Sequence, residues 1–478
     1  MLGLKSLPRE CEWVEFKHNN GDPQRIGEYI SALSNAAALA GKSHGYLLWG
    51  IADKTHEVVG TDFVPEETRR GGEDLGPWLL RSLSPQVPFQ FLSVTIGDKP
   101  IIVLKIGRAY SRPTSFFGEE YIRVSSYKKK LKDAPELERS LWKIFDYTPF
   151  EKRIAVDDVD ESEILKLLDL SSYFDLLRLD FPTNTERLIE AAESEGLIAP
   201  EETGRWSILN LGAILFARNI EDFPLLRRKA VRVISYTGKG RIETTREQVE
   251  RKGYAAGFQD LINNVNGLVP ANEIIGKAIR STVPMYPSLS IRELVANALI
   301  HQDFEITGAG PTIEIFSDRM EITNPGEPLM AVDRMLDAPP RSRNEALASL
   351  MRRFGICEER GSGIDKVVQE TEIFQLPAPE FAVFEQSFRA TMFAHRKFND
   401  MDKSDRIRAC YMHASLRYVM RDYMTNSTLR ERFGIDPRNS AIASRLIKEA
   451  LEAELIRPYD VDAGRRFMKY IPWWAKSI

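Results

Sequence analysis

Cysteine is scarce in this chain. Cys11, Cys357 and Cys410 are scattered over 478 residues without paired spacing, which argues against a disulfide framework or a zinc cluster and fits a reducing cytoplasm. Long apolar runs are missing too. Nothing approaches the length of a membrane span, and "MLGLKSLPRE" lacks the apolar core of a signal peptide, so a cytoplasmic protein with no membrane partner is expected. Strong net charge of either sign is absent. At −4 overall no global field draws the chain onto nucleic acid, and any basic footprint is local. No internal repeat or low-complexity tract occurs.

What is present is ordinary soluble composition, 43% hydrophobic and 28% charged, in a chain too long for one core. Three or four domains are expected. Residues 1–135 read as α+β: a helix in "PQRIGEYISALSNAAALA", a buried strand in "GYLLWGI", a hairpin in "FLSVTIGDKPIIVLKIG" and a further strand in "EEYIRVSS". The Gly-Asp turn and its flanking alternation carry the hairpin. Residues 136–160 read as a linker on the strength of the acidic "DDVDESE". Residues 161–285 read as a connecting region that starts winged-helix-like, with strand at "LRRKAVRVISYTG" and helix from 245 to 280. Residues 286–395 alternate helix and strand as a layered α/β domain, and 401–478 close the chain.

One stretch asks for chemistry. "SIRELVANALIHQDF" reads as a helix that is apolar almost all round, crossed by a single polar stripe. Glu293, Asn297 and His301 recur at spacings of four and so share a face. A bland account exists: Ser290 and Glu293 fit a capping box, and Asn297 and His301 could be a satisfied amide and a solvated end. Two later segments add weight to the other account. "TIEIFSDRMEITNPGEP" is a strand pair ending in the tight turn Asn324-Pro325-Gly326. "EERGSGIDKVV" sets Gly361, Ser362 and Gly363 at a helix start, where free backbone N–H groups and the helix dipole suit phosphate.

In this order "RELVANALIHQDF", "DRMEITNPGEP" and "RSRNEALASLMRRFGICEERGSGIDK" resemble the GHKL ATPase family, in the subclass attached to Schlafen-type AlbA-like proteins. The resemblance implies a Bergerat-type α/β sandwich binding ATP and Mg²⁺. Asn297 would hold the Mg²⁺, Glu293 would orient or deprotonate the attacking water, and Gly361 and Gly363 would bracket the phosphates. Ser362, His301, Asn324 and Gly326 complete the expected cofactor site. The family's Asp-x-Gly-x-Gly box is reduced here to Asn324-Pro325-Gly326, which leaves the adenine contact open.

A second site lies in "ECEWVEFKH". As a strand, Val14 and Phe16 would face the core, while Trp13, Glu15 and Lys17 share the other face. Glu15-Phe16-Lys17 is the acid–x–Lys pattern of metal-dependent nucleases, where the carboxylate binds a divalent ion and Lys neutralises phosphate. A solvated strand edge is the bland alternative. "ECEWVEFKHNN", "ISALSNAAALAGKSHGYLLWGIADKTHEVVG" and "YIRVSSYKKKL" resemble the Schlafen-type AlbA-like domain. That resemblance implies a site of Glu10, Glu15 and Asp53, with Lys17 beside it, holding Mg²⁺ or Mn²⁺. Gly41-Lys42-Ser43 is no P-loop, since it lacks the upstream glycine and follows a helix; Gly41 reads as a helix end.

The final segment, 401–478, holds 15 Lys and Arg against 10 Asp and Glu. "TNSTLRERFGI" and "NSAIASRLIKEALEAELIRP" read as helix-turn-helix with a wing in "RRFMKYIPWW". Thr425 or Asn426 would cap the first helix, and Arg438, Asn439, Ser440, Ser444 and Arg445 would meet bases or phosphates. A protein-docking module is the alternative.

The fold class expected is therefore α+β multidomain: an N-terminal AlbA/Schlafen-like domain, a central winged-helix-like region and GHKL sandwich, and a C-terminal winged helix. The function expected is an ATP-gated metal-dependent nuclease acting on DNA or structured RNA in antiviral defence, as a homo-oligomer. The rival is an ATP-responsive, DNA-binding transcriptional regulator without nuclease activity.

Overall fold

The computed structural model describes residues 11–475 except 53–54, 56, 111, 125–126, 183, 202–203, 276–279, 338, 340, 358–361 and 465–466. The chain is a mixed α+β multidomain protein. It divides into two compact units, Met1–Val159 with Ala199–Ser207, and Asp160–Ile198 with Ile208–Ile478.

The first unit is built on strands β1 (Val14–Lys17) and β2 (His44–Trp49) with helix α1 (Pro23–Leu39) between them. The hairpin β3 (Phe89–Ile96) and β4 (Lys99–Gly107) completes a four-stranded sheet in the order β1-β2-β4-β3. β1 and β2 are parallel, with Glu15 opposite Leu47 and Lys17 opposite Trp49. One face packs on α1, where Ile26, Ile30 and Leu33 meet Leu47, Trp49 and Leu104. The other gathers Trp13, Val14, Phe16, Tyr46 and Leu48. Both faces of β2 are therefore dry, which is why "HGYLLW" is an apolar run rather than an alternation. The same covering excludes the bland alternative of a solvated strand edge, because Trp13 and Glu15 are both buried. Past α1, Gly41 takes a left-handed φ of +67°, as a helix end requires.

Strands β5 (Glu119–Val124) and β6 (Tyr127–Lys130) pair antiparallel beyond the first sheet. The expected linker at 136–160 is a correction. Helix α2 (Pro135–Tyr147) fills its first half and strand β7 (Ile154–Val159) its end. Leu141 and Phe145, one turn apart on α2, bury against Ala36 and Ala38 of α1, an i,i+4 pair hidden among charged neighbours.

Three helices follow, α3 (Glu161–Leu167), α4 (Leu170–Leu177) and α5 (Thr185–Ser194), then the strand pair β8 (Ile198–Pro200) and β9 (Trp206–Leu209). The second unit centres on a six-stranded sheet of β10 (Val231–Tyr236), β11 (Thr244–Glu250), β12 (Thr312–Ile315), β13 (Arg319–Pro325), β14 (Glu380–Phe384) and β15 (Ser387–Phe393), in the order β11-β10-β12-β13-β15-β14. β11 corrects the helix expected from 245. Its residues pair with β10, and helix is confined to Phe258–Leu268 before strand resumes at Ala271–Ile275.

The two faces of this sheet differ. Ile313, Ile315, Met320, Ile322, Ala390 and Met392 are buried apolar residues. Alternating with them, Glu314 and Glu321 stand directly opposite one another on β12 and β13. Two carboxylates in that position repel, and Arg241 answers both, donating to Glu314 at 2.6 and 2.8 Å and to Glu321 at 2.7 Å. Arg319 adds a bond to Glu321 at 2.6 Å.

Helix α6 (Ser288–His301) packs on β13 and against α8 (Gly363–Ile373), with α7 (Glu345–Arg353) preceding α8. The C-terminal segment contains α9 (Lys403–Val419), α10 (Asn426–Phe433), α11 (Ser440–Glu452) and the strand pair β16 (Ile456–Pro458) and β17 (Tyr470–Pro472). Thr425 caps α10 in a box with Thr428.

Candidate functional site

The polar stripe of α6 opens into a cavity of about 790 Å³, within the size range of small-molecule sites. Glu293, Asn297 and His301 line it, together with Asn324 and Gly326 from the end of β13 and Gly363 from the start of α8. Segments far apart in sequence, from Glu293 to Phe388, thus converge on one space. Of the expected cofactor residues, Ser362 is the N-cap of α8 and Gly361 lies outside the described residues. The capping box does not form: Pro287 is the N-cap of α6, without a side-chain cap bond.

The stripe has two ends of different character. At one, Gly363 approaches the carboxylate of Glu293 so closely that a Cβ there would lie 2.7 Å from its Oε2 and 3.8 Å from Asn297 Nδ2. Helix α8 thus begins directly on top of the stripe. Burial raises the pKa of Glu293 against the opposing influence of Lys366 and Arg292, which makes it a better base than a free carboxylate. Cys357, also in the cavity wall, has its thiol pushed up to about 11 by burial and by Glu293. It is therefore a neutral wall residue.

At the other end His301 is pushed down to about 4, by burial first and by Arg343 second. A neutral imidazole there is a hydrogen-bonding group and not a cation for phosphate. Apolar side chains, among them Ile322, Leu329, Met330, Met335 and Phe388, line the cavity as well.

Several residues that fix this geometry carry no local sequence signal. Arg343 donates to Asp303 Oδ2 at 2.6 Å and also to the Glu327 carbonyl. Asn344 donates to the carbonyls of Ile300 and Gln302 at 2.7 and 2.8 Å, satisfying the open end of α6. The ammonium of Lys229, lowered to about 8 by burial, donates to the Ile306 carbonyl at 2.7 Å. "RSRN" is thus the clamp for the loop after α6. Gly326, with φ of +98°, has its Cα so close to Asp303 and Arg343 that a Cβ would lie 2.7 and 2.9 Å from them.

The cavity residues fit Mg²⁺ and a nucleotide chemically. Asn297 offers an amide oxygen, the α8 N-terminus offers backbone donors, and the far end is apolar with a neutral imidazole.

The N-terminal acids are arranged differently. Glu10 and Asp53 lie outside the described residues. Glu15 is paired with Lys17 and with Arg123 of β5, a guanidinium that is completely buried. Lys17 also sits 5.3 Å from the ring of Tyr29. Arg123 is 108 positions away in sequence, and nothing near "EWVEFK" announces it. Another acidic group forms where His44 Nε2 meets Asp157 Oδ2 at 2.7 Å, with Glu201 close by. The His44 bond holds the Asp157 carboxyl well below the usual range. Lys105 lies 3.2 Å from Asp157 and 3.8 Å from Glu201, so an ammonium already balances these acids.

In the C-terminal segment Arg438, Asn439, Ser440, Ser444 and Arg445 are all exposed. Arg438 sits in a short 3-10 turn before α11, where it pairs with Asp436 at 2.9 Å, so it does not share a helix with Arg445. Asn426 of α10 donates to the Ser440 carbonyl and to Ser444 Oγ, both at 3.0 Å, and so fixes the start of α11.

Comparison with known proteins divides along the same lines. Residues 10–132 match the family model described as "Schlafen, AlbA_2". Residues 308–392 match the one described as "Putative ATP-dependent DNA helicase recG C-terminal", an HATPase-type model. The second match takes in β12, β13, α7, α8, β14 and nearly all of β15, and begins after α6. No curated protein gives a significant match. Among solved structures, the DIP2311 protein from Corynebacterium diphtheriae is similar at 17% identity over 96% of this chain and 92% of its own, with a TM-score of 0.44. A likeness of that size supports no conclusion about fold or function.

The chain carries a Schlafen/AlbA-type domain and an ATPase-like domain. An ATPase-like domain together with a Schlafen/AlbA-type domain points to ATP-related nucleic-acid function. Among the described residues no helix is long and apolar enough to cross a membrane.

Two outcomes test this electrostatic description. Glu15→Gln removes the buried carboxylate that Arg123 and Lys17 meet and is expected to lower stability by about 1.5–3 kcal/mol, the scale of a hydrogen bond to a charged group, read from urea midpoints. A variant as stable as wild type would remove the structural role of the pair. For His301, the folded value of about 4 lies below the usual 6.5, so between those values the unfolded chain binds the extra proton and stability falls as pH drops through the window. His301→Gln is expected to lose less stability than wild type between about pH 7 and about pH 5, by the same urea measurement. Equal losses would contradict it.

Proposed function

We propose that this protein binds Mg²⁺–ATP in the α6/α8 cavity and uses the nucleotide to control its hold on nucleic acid. The observation that carries the reading is the cavity itself, where the stripe of α6, the end of β13 and the glycine start of α8 meet. Asn297 would hold the Mg²⁺, which when bound neutralises phosphate charge. The N-terminus of α8 would receive the phosphates on its backbone donors. Glu293, buried and with a raised affinity for protons, would orient a water and accept its proton. His301 and the apolar end of the cavity would take the base. The exposed start of α11, with Arg445 and the preceding Arg438, would supply contacts to duplex DNA.

A second reading, a Mg²⁺- or Mn²⁺-dependent nuclease of structured RNA serving defence, rests on Glu10, Glu15 and Asp53. The closeness of Lys17 to Glu15 favours it. The buried Arg123 favours the binding reading more strongly, because a metal ion would have to displace a guanidinium that has no solvent to move into.

Asn297→Ala is expected to abolish Mg²⁺–ATP binding in calorimetry. Glu293→Ala is expected to bind normally and lose about 10²-fold or more in hydrolysis, the scale of a positioned base. Unchanged affinity in Asn297→Ala would sink the assignment. For the tail, replacing Arg438 and Arg445 together by Ala is expected to flatten the salt dependence of DNA binding by about two units of slope. Anisotropy titrations across salt concentrations that superimpose on wild type would turn the segment into a docking module.

A further inference from the structure

Helix α8 has an unusual pair of ends. Its first residue, Gly363, sits on Glu293 and Asn297 in the cavity wall. Its last turn carries Glu372, whose carboxylate is held by the C-terminal helices. His413 Nδ1 of α9 donates to both Glu372 oxygens at 3.0 Å, and Arg432 Nε of α10 lies 3.3 Å from Glu372 Oε1. His413 and Arg432 are almost fully buried, and Glu372 is largely so. Arg432 also donates to the Leu376 carbonyl just beyond α8 at 2.6 Å. Val368, on the same helix, is in the apolar cluster of α9, α10 and α11.

A chain of contacts continues from there. Arg432 lies near the C-terminal end of α10, and Asn426 begins that helix. Asn426 in turn bonds Ser440 and Ser444 at the exposed start of α11. An 11-residue helix spans about 16 Å. One rigid element thus reaches from the cavity to the helix pair that presents Arg445.

We infer that α8 couples the two sites, with Glu372, gripped by His413 and Arg432, as the joint through which nucleotide occupancy changes the hold of α10 and α11 on DNA. The inference rests on the proposed nucleotide and DNA sites and names the regulation between them. Its physical basis is steric. Gly363 sits directly on Glu293 and Asn297 in the cavity wall, so phosphate and metal held beside those residues would press on the start of α8. A helix moves as a body, and its other end is bonded to α9 and α10 by buried ionic contacts that cannot stretch without leaving charges unpaired. Packed interfaces of this kind shift between discrete arrangements.

The experiment measures affinity of the full chain for a mixed-sequence DNA duplex, with and without Mg²⁺ and a non-hydrolysable ATP analogue. Wild type is expected to change its DNA affinity by about fivefold or more on nucleotide addition, and DNA to change analogue affinity by the same factor, because coupling is reciprocal. Glu372→Gln keeps the side chain's shape and removes its charge. It is expected to bind the analogue as wild type does in calorimetry, and to show a nucleotide effect on DNA of less than about twofold. Should that variant melt well below wild type, His413→Gln repeats the test with Arg432 in place. A nucleotide effect that survives both substitutions overturns the inference and leaves the proposed function standing, whereas wild type that binds both ligands with no mutual effect overturns both. Wild type that binds no nucleotide overturns the proposed function, and this coupling falls with it.

Discussion

Burying a carboxylate inside a helix that is apolar on every other side is the constraint from which the second unit follows. Glu293 cannot be hydrated as a free acid is, and a helix carrying it could not pack there unless the surroundings left a polar space. That space is the cavity, and its walls are arranged to keep it open. Arg343, paired with Asp303, holds the loop beyond α6. Asn344 closes the carbonyls at the end of the helix. Gly326 lets that loop press against the sheet, and Gly363 lets α8 begin directly over Glu293. Each of these contacts is local and modest in energy. Together they fix a polar stripe that would otherwise be removed by packing.

The first unit solves a related problem differently. Glu15 is as buried as Glu293, but it is surrounded by cations. Lys17 comes from the same strand, and Arg123 arrives from β5. The acid is therefore compensated in place, and no cavity is needed around it. The contrast between an acid left facing space and an acid closed by two cations separates the candidate nucleotide site from the candidate nuclease site more clearly than residue type does.

Much of this was legible in the sequence, for physical reasons that can be traced. Spacings of four put Glu293, Asn297 and His301 on one face, and only helix geometry is needed to see it. The Gly-Asp hairpin and the burial of "GYLLW" follow from turn chemistry and apolar runs. Arg123 was not legible, because a contact across two sheets leaves no mark in local periodicity. α2 was missed because Leu141 and Phe145 are sparse among charges. The 244–250 strand was missed because its pairing with β10, and not its own composition, makes it a strand. Arg438 and Arg445 read together as the start of one element, but a 3-10 turn at Pro437–Asn439, capped by Asp436, sets Arg438 before the helix that carries Arg445. Thus local chemistry announced the stripe, while its supports became visible only in three dimensions.

The ionic face of the six-stranded sheet has a consequence for where Asn324 and Gly326 stand. Glu314 and Glu321 face each other across two strands, and a single guanidinium, Arg241, bridges them. Sliding β13 by one residue would turn Glu321 into the dry interior and bring Met320 or Ile322 out beside Arg241. The sheet therefore admits one alignment. The charge bridge acts as a ruler on the side away from the cavity, and it sets to within one residue step of roughly 3.3 Å the position at which β13 delivers its polar end to the cavity mouth.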